Sequence, residues 1–425
     1  MPAESVAGGR ENRGRRYGSV KDDGRARRSR RPGVPPRGRS RGERGVALLV
    51  VLAAIALLTI SVMDFTYAGQ VGYRRTAHWL KARQAQMLAD SGVRLAATLL
   101  SIDSRVKSAI ATIGETQGRD TTATTALTDF WAGICSRESE PACPQNPLSF
   151  VCELDIGDGM LAVRIEDEGG RFNINSLNEF QDCEGSVGQW HHDMLGNLLL
   201  GGGVDPALRG AIVDWIDRDE RPYRCGAPGA EAAEYAARDF AYGPRNRPIS
   251  GLRELALIDG IDAAQLSRLR RGATALPLPE ERDQRRNAGS ININTASDAA
   301  LAALAASGEG GLQPFLTRIR NERCVAPFTE ADIDSRLGAI LGDNGRAAAL
   351  AKRLAVSSNW FRVRATGRLD DVEQSAEALL QRTDGSVVFA SYLPRRGPNI
   401  AGLNWDAALP VATMAGLSLS EGGGF

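Results

Sequence analysis

An uncharged stretch of 18 residues, Val46–Met63, constrains this chain more than any other feature of its sequence. A helix rising 1.5 Å per residue would make it about 27 Å long, close to the thickness of a membrane's hydrocarbon core. The preceding residues 1–45 hold 14 Lys or Arg against 5 Asp or Glu. Because basic flanks stay in the cytoplasm, we expect a single membrane span with a cytoplasmic N-terminal end.

The junction between the basic leader and this stretch carries a second signal. A cleavable export signal shows a small-residue site after its apolar run, and none follows here. The small residue Gly45 instead precedes the run, directly after Arg44. Cleavage between Gly45 and Val46 would remove the leader and keep the apolar segment in the mature protein.

The helical pattern continues beyond the apolar stretch. We predict one helix from residue 46 to about 102, apolar on all sides at first and amphipathic later. Two Gly residues in segment 68–72 cost about 1 kcal/mol each against Ala, so we expect a weak point there. The second half contains no Pro, and its apolar residues recur at helical intervals: Leu80, Met87, Leu88, Leu95, Leu99 and Ile102.

The body of the chain combines strand and helix patterns. Two hairpin signals, Gly157-Asp158-Gly159 and Asp384-Gly385, separate β-prone runs, and helix-like patterns dominate residues 176–356. The predicted fold is α+β, with a small antiparallel sheet interrupted by a large all-α insert. The β-prone runs are Leu148–Ile156, Met160–Asp167, Trp360–Leu369, Glu373–Gln381 and Ser386–Leu393.

These patterns predict five parts. The leader is rich in Arg, Gly, Ser and Pro and cannot bury a core of its own; it could also be a nucleic-acid arm, or reflect a start codon placed too early. The whole chain has a net charge of +1 and segment 1–45 contributes +9, so the remaining residues carry a net charge of −8. This negative charge argues against a body that binds nucleic acid.

The five predicted parts are a cleaved leader (1–45), a helix (46–102), a discontinuous sheet domain (103–175 plus 357–400), an insert (176–356) and a flexible tail (401–425).

An internal repeat lies in the insert. FNINSLN at 172–178 and ININTAS at 291–297 match in spacing, and Asn side chains suit helix caps and turns. The second copy also resembles helix-hairpin-helix modules, which offer backbone N–H groups to phosphate. Glu309 in the corresponding hairpin would repel phosphate, so we favour the structural interpretation. The matching residues are Asn173 and Asn175 in the first copy, and Asn292 and Asn294 in the second.

No catalytic constellation emerges from the sequence. Its three His residues, His78, His191 and His192, stand in unrelated contexts, and the adjacent pair is expected at the surface. The motifs H-E-x-x-H and the P-loop do not occur. We therefore predict no enzyme.

An acidic stretch, VDWIDRDERP at 213–222, has two interpretations. One is a solvated acidic face with Arg218 and Arg221 as ion partners. The other is a cation site, because hard oxygen ligands on a loop suit Ca²⁺. The candidate ligands are Asp217, Asp219, Glu231 and Glu234.

Six Cys residues follow the export-type segment, which favours disulfides in an oxidising compartment. Without C-x-x-C pairs a structural zinc site is not expected, and fifteen full pairings are open. We expect one bridge on the sheet side and one within the insert. The candidates are Cys135, Cys143, Cys183 and Cys225.

The order of these features resembles a known family. A basic leader that ends in Gly45, before a retained apolar helix, resembles the type IV prepilin class. With the split sheet and the repeat-bearing insert, residues 44–395 resemble the minor pseudopilin K family of type II secretion, or general secretion pathway protein K. The 45-residue leader is longer than is usual in the family, and the Cys residues in 135–152 are additional.

The resemblance implies a non-enzymatic subunit of the bacterial inner membrane with a periplasmic body and calcium in its helical domain. It would cap the pseudopilus tip and help initiate assembly. The implied partners are I- and J-type minor pseudopilins, the major pseudopilin and the prepilin peptidase, without nucleic acid. The alternative is a helix-hairpin-helix DNA-binding envelope protein of competence type.

The resemblance also implies a role for Val50. The fifth mature residue of prepilins is usually Glu, whose carboxylate offsets the N-terminal ammonium of a neighbouring subunit. Cleavage after Gly45 would make Val50 the fifth residue, and no acid follows before Asp64. A subunit without this acid would have no such neighbour above it, which fits a tip position.

We predict cleavage between Gly45 and Val46 by a prepilin peptidase. Gly45→Leu should leave the leader attached, because a bulky side chain would stand at the cleaved bond. Gly33→Leu, within the leader, should be processed normally. Mass spectrometry of the mature N-terminus checks this, and a chain that begins within residues 50–63 or after Met63 would contradict it.

Overall fold

The computed structural model forms two compact units, residues 1–71 and 72–425. The tail 401–425 and most of the leader lie outside the described residues, and the domain boundaries predicted within the second unit stay a prediction. The described residues are 41–116, 124–133, 153–179, 185–236, 242–280, 289–306, 312–383 and 386–395.

Helices account for most of the described elements. The α-helices are α1 (Arg41–Thr116), α2 (Gly185–Gly201), α3 (Arg209–Ile216), α4 (Ala232–Ala236), α5 (Ala263–Leu269), α6 (Asp298–Ala306), α7 (Leu312–Val325), α8 (Ile333–Leu341) and α9 (Asn344–Ala351). Short 3₁₀ helices occupy Phe130–Gly133, Glu168–Gly170, Ile174–Glu179, Pro206–Leu208 and Leu252–Leu257.

The strands divide into five long or edge strands and four two-residue strands. They are β1 (Glu153–Ile156), β2 (Gly159–Asp167), β3 (Phe172–Asn173), β4 (Ala273–Thr274), β5 (Ile291–Asn292), β6 (Leu354–Ala355), β7 (Trp360–Leu369), β8 (Val372–Thr383) and β9 (Ser386–Arg395).

Helix α1 is longer than the sequence pattern predicts. It begins at Arg41 and ends at Thr116, where we expected residues 46 to about 102. No Pro interrupts this range, and the two Gly residues of segment 68–72 cost too little to break a helix of this length. Among the described residues, α1 is the one helix long and apolar enough to cross a membrane, and its most apolar window holds no buried residue.

The main sheet is antiparallel, with the order β1-β2-β7-β8-β9. Strands β2 and β7 are neighbours, paired from Gly159 opposite Leu369 to Asp167 opposite Phe361. Residues 168–359 are therefore inserted between two adjacent strands. This confirms the predicted small antiparallel sheet; the first residues of the run predicted at Leu148–Ile156 lie outside the described part.

Helix α1 packs closely on this sheet. A Cβ added at Gly367 of β7 would lie 2.1 Å from the carbonyl oxygen of Ala85, and one at Gly92 would lie 2.7 Å from Leu161 Cδ1. Only residues without a side chain permit such an approach. The buried helix face comprises Ala89, Val93, Ala96, Ala97 and Leu100, packed on inward-facing residues of β2, β7 and β8.

The insert has its own hydrophobic core, which contains Trp215, Tyr235 and Phe328 and receives side chains from most of its helices. Besides helices, it contains two short parallel pairs, β3 with β4 and β5 with β6. Each pair includes one copy of the Asn-rich repeat.

In the first copy, the Asn side chains join distant backbone segments. Asn175 Nδ2 donates to the carbonyl oxygens of Ile249 and Leu276, both at 2.9 Å, and Asn175 Oδ1 accepts from Ile249 N at 2.8 Å. Asn173 Oδ1 accepts from Asn175 N at 3.2 Å and from Leu276 N at 3.0 Å. Both side chains are buried.

The second copy repeats this arrangement. Asn294 Nδ2 donates to the carbonyl oxygens of Phe328 at 2.9 Å and Val356 at 3.3 Å, and Asn294 Oδ1 accepts from Phe328 N at 2.7 Å. Asn292 Oδ1 accepts from Asn294 N at 3.0 Å. The sequence repeat is therefore also a repeat of hydrogen bonding.

A buried polar cluster lies where the chain passes from the sheet into the insert. Asn292 Nδ2 donates to Asp167 Oδ2 at 3.2 Å, to Ser358 Oγ at 2.8 Å and to the carbonyl oxygen of Thr125 at 2.9 Å. Thr295 Oγ1 also donates to Asp167 Oδ2, at 2.6 Å. Asp167 ends β2, Ser358 precedes β7, and the other partners come from the insert and from the segment after α1.

An ion-pair cluster adjoins it. Burial disfavours a charge on Glu168, but the guanidinium groups of Arg171 at 2.7 Å and Arg362 at 2.6 Å hold its pKa at about 2. Arg362 also pairs with Glu377 at 2.9 Å. Glu168 is therefore charged at neutral pH and ties the entrance of the insert to β7 and, through Arg362, to β8.

We predict that Asn175→Ala and Asn294→Ala each lower the free energy of unfolding by about 3 kcal/mol, because each leaves buried backbone groups unpaired. Asn321→Ala, on the exposed side of α7, should change it by less than about 0.5 kcal/mol. Urea unfolding checks this. Equal stability of the two buried variants and the control would contradict a structural role of the repeat.

Candidate functional site

Two carboxylates of the acidic stretch, those of Asp217 and Asp219, converge with the carboxylate of Glu231 in the insert. Helix α3 ends at Ile216, and the next residue, Asp217, donates its N–H to the carbonyl oxygen of Val213 at 2.9 Å. The chain then turns into a loop that returns at Glu231. One carboxylate oxygen each of Asp217, Asp219 and Glu231 lie within 4.8 Å of one another.

Asp214, one turn earlier on α3, shapes this loop. Its carboxylate accepts from Tyr223 N at 3.0 Å and from Ala230 N at 2.7 Å. A Cβ at Gly229 would lie 2.3 Å from Asp214 Oδ2, so the loop backbone approaches the helix closely. The Asp214 carboxylate thus holds the loop backbone.

Two of the three converging carboxylates, those of Asp217 and Glu231, have buried oxygens without hydrogen-bond partners among the described residues. Both oxygens of Glu231 and Oδ1 of Asp217 are buried without a hydrogen-bond partner in the described part of the chain. Burial, and then the neighbouring charges of Asp214, Asp219 and Glu231, raise the pKa of Asp217 to about 8. Burial and nearby carboxylates likewise raise the pKa of Glu231 to about 7. Unpaired buried oxygens of this kind fit a hard divalent cation such as Ca²⁺.

The fourth predicted ligand, Glu234, has a different place. Its Oε2 accepts from the N–H of Glu231 at 2.9 Å, beside the start of α4. It is exposed and does not join the three converging carboxylates. Its role as a ligand stays a prediction.

Asn246 is a residue that the sequence did not single out. Its Nδ2 donates to the carbonyl oxygen of Asp219 at 3.1 Å, and its Oδ1 is buried without a hydrogen-bond partner among the described residues. Its backbone is left-handed, with φ of 49°, a conformation that Asn tolerates better than most residues. An amide oxygen is a suitable additional Ca²⁺ ligand. The only signal in the sequence was an Asn between two Arg, before Pro248.

The predicted surface position of the His pair is wrong. His191 and His192 are 2 % and 1 % exposed. They lie on the core side of α2, where His192 Nδ1 is 3.1 Å from the Tyr223 hydroxyl and His191 Nδ1 is 2.8 Å from the Val187 carbonyl oxygen. Burial lowers the pKa of His191 to about 4, so its ring is neutral at physiological pH.

The remaining candidates are dispersed. Val50 lies on α1 and is exposed, and the Gly45–Val46 bond lies in the same helix. Cys225 and Cys324 are disulfide-bonded, whereas the candidates Cys135, Cys143 and Cys183 lie outside the described residues, as does Glu309. The predicted pairing of bridges therefore stays a prediction.

A turn before α5 contains a glycine with positive φ, as a phosphate-binding hairpin would. Gly260 has a φ of +88°, and Asp262 caps α5 by accepting from Gln265 N at 2.7 Å. Asp259 stands on the other side of the Gly. Carboxylates on both sides of this turn disfavour a phosphate there.

Comparisons with known proteins agree with one another. Residues 170–278, which contain the carboxylate cluster, match the family described as "Type II secretion system (T2SS), protein K". The type II secretion system protein K of Klebsiella pneumoniae is 30% identical over 268 residues, covering 62% of this chain and 70% of its own. That of Pseudomonas aeruginosa is 29% identical over 372 residues, covering 86% of this chain and 98% of its own.

One solved structure shares the fold. A chain of the GspK-GspI-GspJ complex from the type 2 secretion system of enterotoxigenic Escherichia coli superposes with a TM-score of 0.51 and 20% identity. The match covers 76% of this chain and all of that one. At this identity the likeness shows the fold.

We predict that millimolar Ca²⁺, added after chelator treatment, raises the melting temperature by roughly 5–10 °C, because the ion binds the folded site. Asp217→Asn combined with Glu231→Gln should abolish the shift. Glu330→Gln combined with Asp334→Asn, which removes two exposed charges elsewhere, should preserve it. Differential scanning calorimetry checks this. An unchanged melting temperature of the wild type would contradict the cation site and favour a solvated acidic face.

The Ca²⁺-induced change in melting temperature should also depend on pH. The folded pKa values of Asp217 and Glu231 lie above the usual values near 4, so the folded protein binds these protons more tightly than the unfolded chain. Without metal, their contribution to stability therefore falls as pH rises from about 4 to 8. Protons compete with the ion, so the Ca²⁺-induced shift should be larger at pH 8 than at pH 5.5.

Proposed function

Because this chain belongs to the type II secretion system protein K family, a family of pseudopilins, we propose that it is the minor pseudopilin at the tip of the pseudopilus, where it helps to initiate assembly. The role is structural and requires no catalysis. Three properties of the chain support this role: an apolar helix for the membrane, a small sheet packed on the same helix, and a large insert.

The membrane arrangement follows from α1. The apolar window exposes its side chains along its whole length, as lipid contact requires. The 14 basic residues of segment 1–45 support a cytoplasmic location for that end by the positive-inside rule. The body would then lie in the periplasm of a bacterial inner-membrane protein, and prepilin peptidase would meet the Gly45–Val46 bond on the cytoplasmic side.

The partners of the proposed tip are other pseudopilins. The matched solved chain comes from a complex of GspK with GspI and GspJ. By analogy, I- and J-type minor pseudopilins would contact this chain first, and the major pseudopilin would follow below them.

The observation that carries the tip position is the residue at position 50. A buried ammonium in apolar surroundings is tolerated mainly when a carboxylate pairs with it. Val50 offers no carboxylate, and the first acid beyond Val46 is Asp64, more than three helical turns later. A subunit above this one would leave its N-terminal ammonium unpaired. The insert of residues 168–359 would also obstruct a subunit added there.

In this proposal, calcium would have a structural role. Asp217, Asp219 and Glu231 would hold the ion, with Asn246 beside them, and the ion would neutralise carboxylates that otherwise repel one another. It would thus stabilise the loop 217–231 on the surface of α3.

We predict that Val50→Glu admits the protein to internal positions of the fibre, because the new carboxylate can pair with an incoming ammonium. Immunogold labelling of fibres should find the wild type at fibre ends and the variant along the shaft as well. Val50→Gln, which has similar size without charge, and Val51→Glu, which turns the carboxylate by about 100° around the helix, should remain at the ends.

Labelling of the wild type along the whole shaft would contradict the tip position. If Val51→Glu labels the shaft as strongly as Val50→Glu, any acid in the span suffices. Position 50 would then have no specific role.

A further inference from the structure

A band of basic and aromatic side chains follows the apolar part of α1. Between Asp64 and Asp90 the sequence contains no acid. Neither the cation site nor the tip position uses these residues. We call this set the basic–aromatic band; its members are Tyr73, Arg74, Arg75, His78, Trp79, Lys81 and Arg83.

The band is exposed and largely unpaired. The Tyr73 side chain is 78 % exposed and that of Trp79 is 63 % exposed. Arg74, Arg75 and Arg83 are also exposed, and within the residues that the structure describes they form no ion pair. Lys81 differs, because its Nζ lies 2.8 Å from a carboxylate oxygen of Asp370. Three cations and two large aromatic residues thus remain available to a ligand.

The band surrounds the helix. At about 100° per residue, Arg83 lies roughly 180° around α1 from Arg74, and Arg75 lies about 100° from Arg74. Trp79 lies roughly 240° from Tyr73 by the same count. A protein partner would cover one stripe of a helix, whereas lipid head groups surround a helix that leaves a membrane. The angular spread therefore favours lipid as the occupant.

The position along the chain agrees with this. Residues 46–71 are 26 residues without a basic side chain, and as a helix they extend about 39 Å. A bilayer with its head groups is roughly 40–45 Å thick. Helix side chains lean toward the N-terminus, so those of the band's first turn point back toward the membrane surface.

We propose that the basic–aromatic band binds the phosphate groups of anionic phospholipids at the membrane surface on the side of the body, and so sets the depth of α1 before assembly. Arg guanidinium groups bind phosphate oxygens with two parallel hydrogen bonds, and Tyr and Trp favour the interface between head groups and acyl chains. The inference rests on the membrane span in the proposed function.

The test places the full chain in nanodiscs of equal phosphatidylglycerol and phosphatidylcholine and counts the lipids that remain bound by native mass spectrometry. The triple variant Arg74→Gln, Arg75→Gln, Arg83→Gln should lose at least about fivefold in preference for phosphatidylglycerol, the factor that one cation supplies near an anionic surface. Replacement of the same residues by Lys should retain most of the preference, because the charge remains.

A matched control removes three exposed charges from the insert: Arg271→Gln, Arg318→Gln and Arg346→Gln. It should behave as the wild type. The basic leader contributes equally to every variant, so the comparison isolates the band. The inference is overturned if the band variant keeps the wild-type preference, or if the control loses as much. Failure of the chain to enter nanodiscs would overturn the membrane span as well.

Discussion

The buried hydrogen bonds of Asp167 connect the two parts of the body, and the arrangement of the rest depends on them. Asp167 is the last residue of β2, and Asn292 and Thr295 of the insert donate to its carboxylate. Burial raises its pKa, and the hydrogen bonds from Thr295 and Ser358 oppose that effect. A buried carboxylate left without partners costs several kcal/mol, so these hydrogen bonds stabilise the end of β2.

The same junction explains how a large insertion leaves the sheet intact. Strands β2 and β7 pair over their full length although residues 168–359 separate them in sequence. Glu168 and Arg362 hold the two ends of the insertion together by an ion pair across 194 positions of sequence. The insert can therefore carry its own core, its two Asn repeats and the carboxylate cluster without disturbing the packing of α1 on the sheet.

The carboxylate cluster illustrates where sequence reasoning reaches its limit. The structure brings together three of the four predicted ligands, Asp217, Asp219 and Glu231, and their role as ligands stays a prediction. The sequence could not show that the carboxylate of Glu234 accepts a hydrogen bond from the backbone N–H of Glu231 and stays apart from the other three. It also missed Asn246, which reaches Asp219 across 27 positions of sequence. Contacts of that range leave no periodic pattern in a single sequence.

The sequence by itself determined the local features: the apolar span, the amphipathic continuation of α1, the hairpin pattern of the strands and the Asn repeat. These follow from periodicity and turn chemistry, which act over a few residues. Only the tertiary structure decided that His191 and His192 are buried, and that the paired Asn residues join segments 34–167 positions apart. Those outcomes depend on which faces meet in the folded core, and burial free energy rewards such meetings irrespective of their distance in sequence.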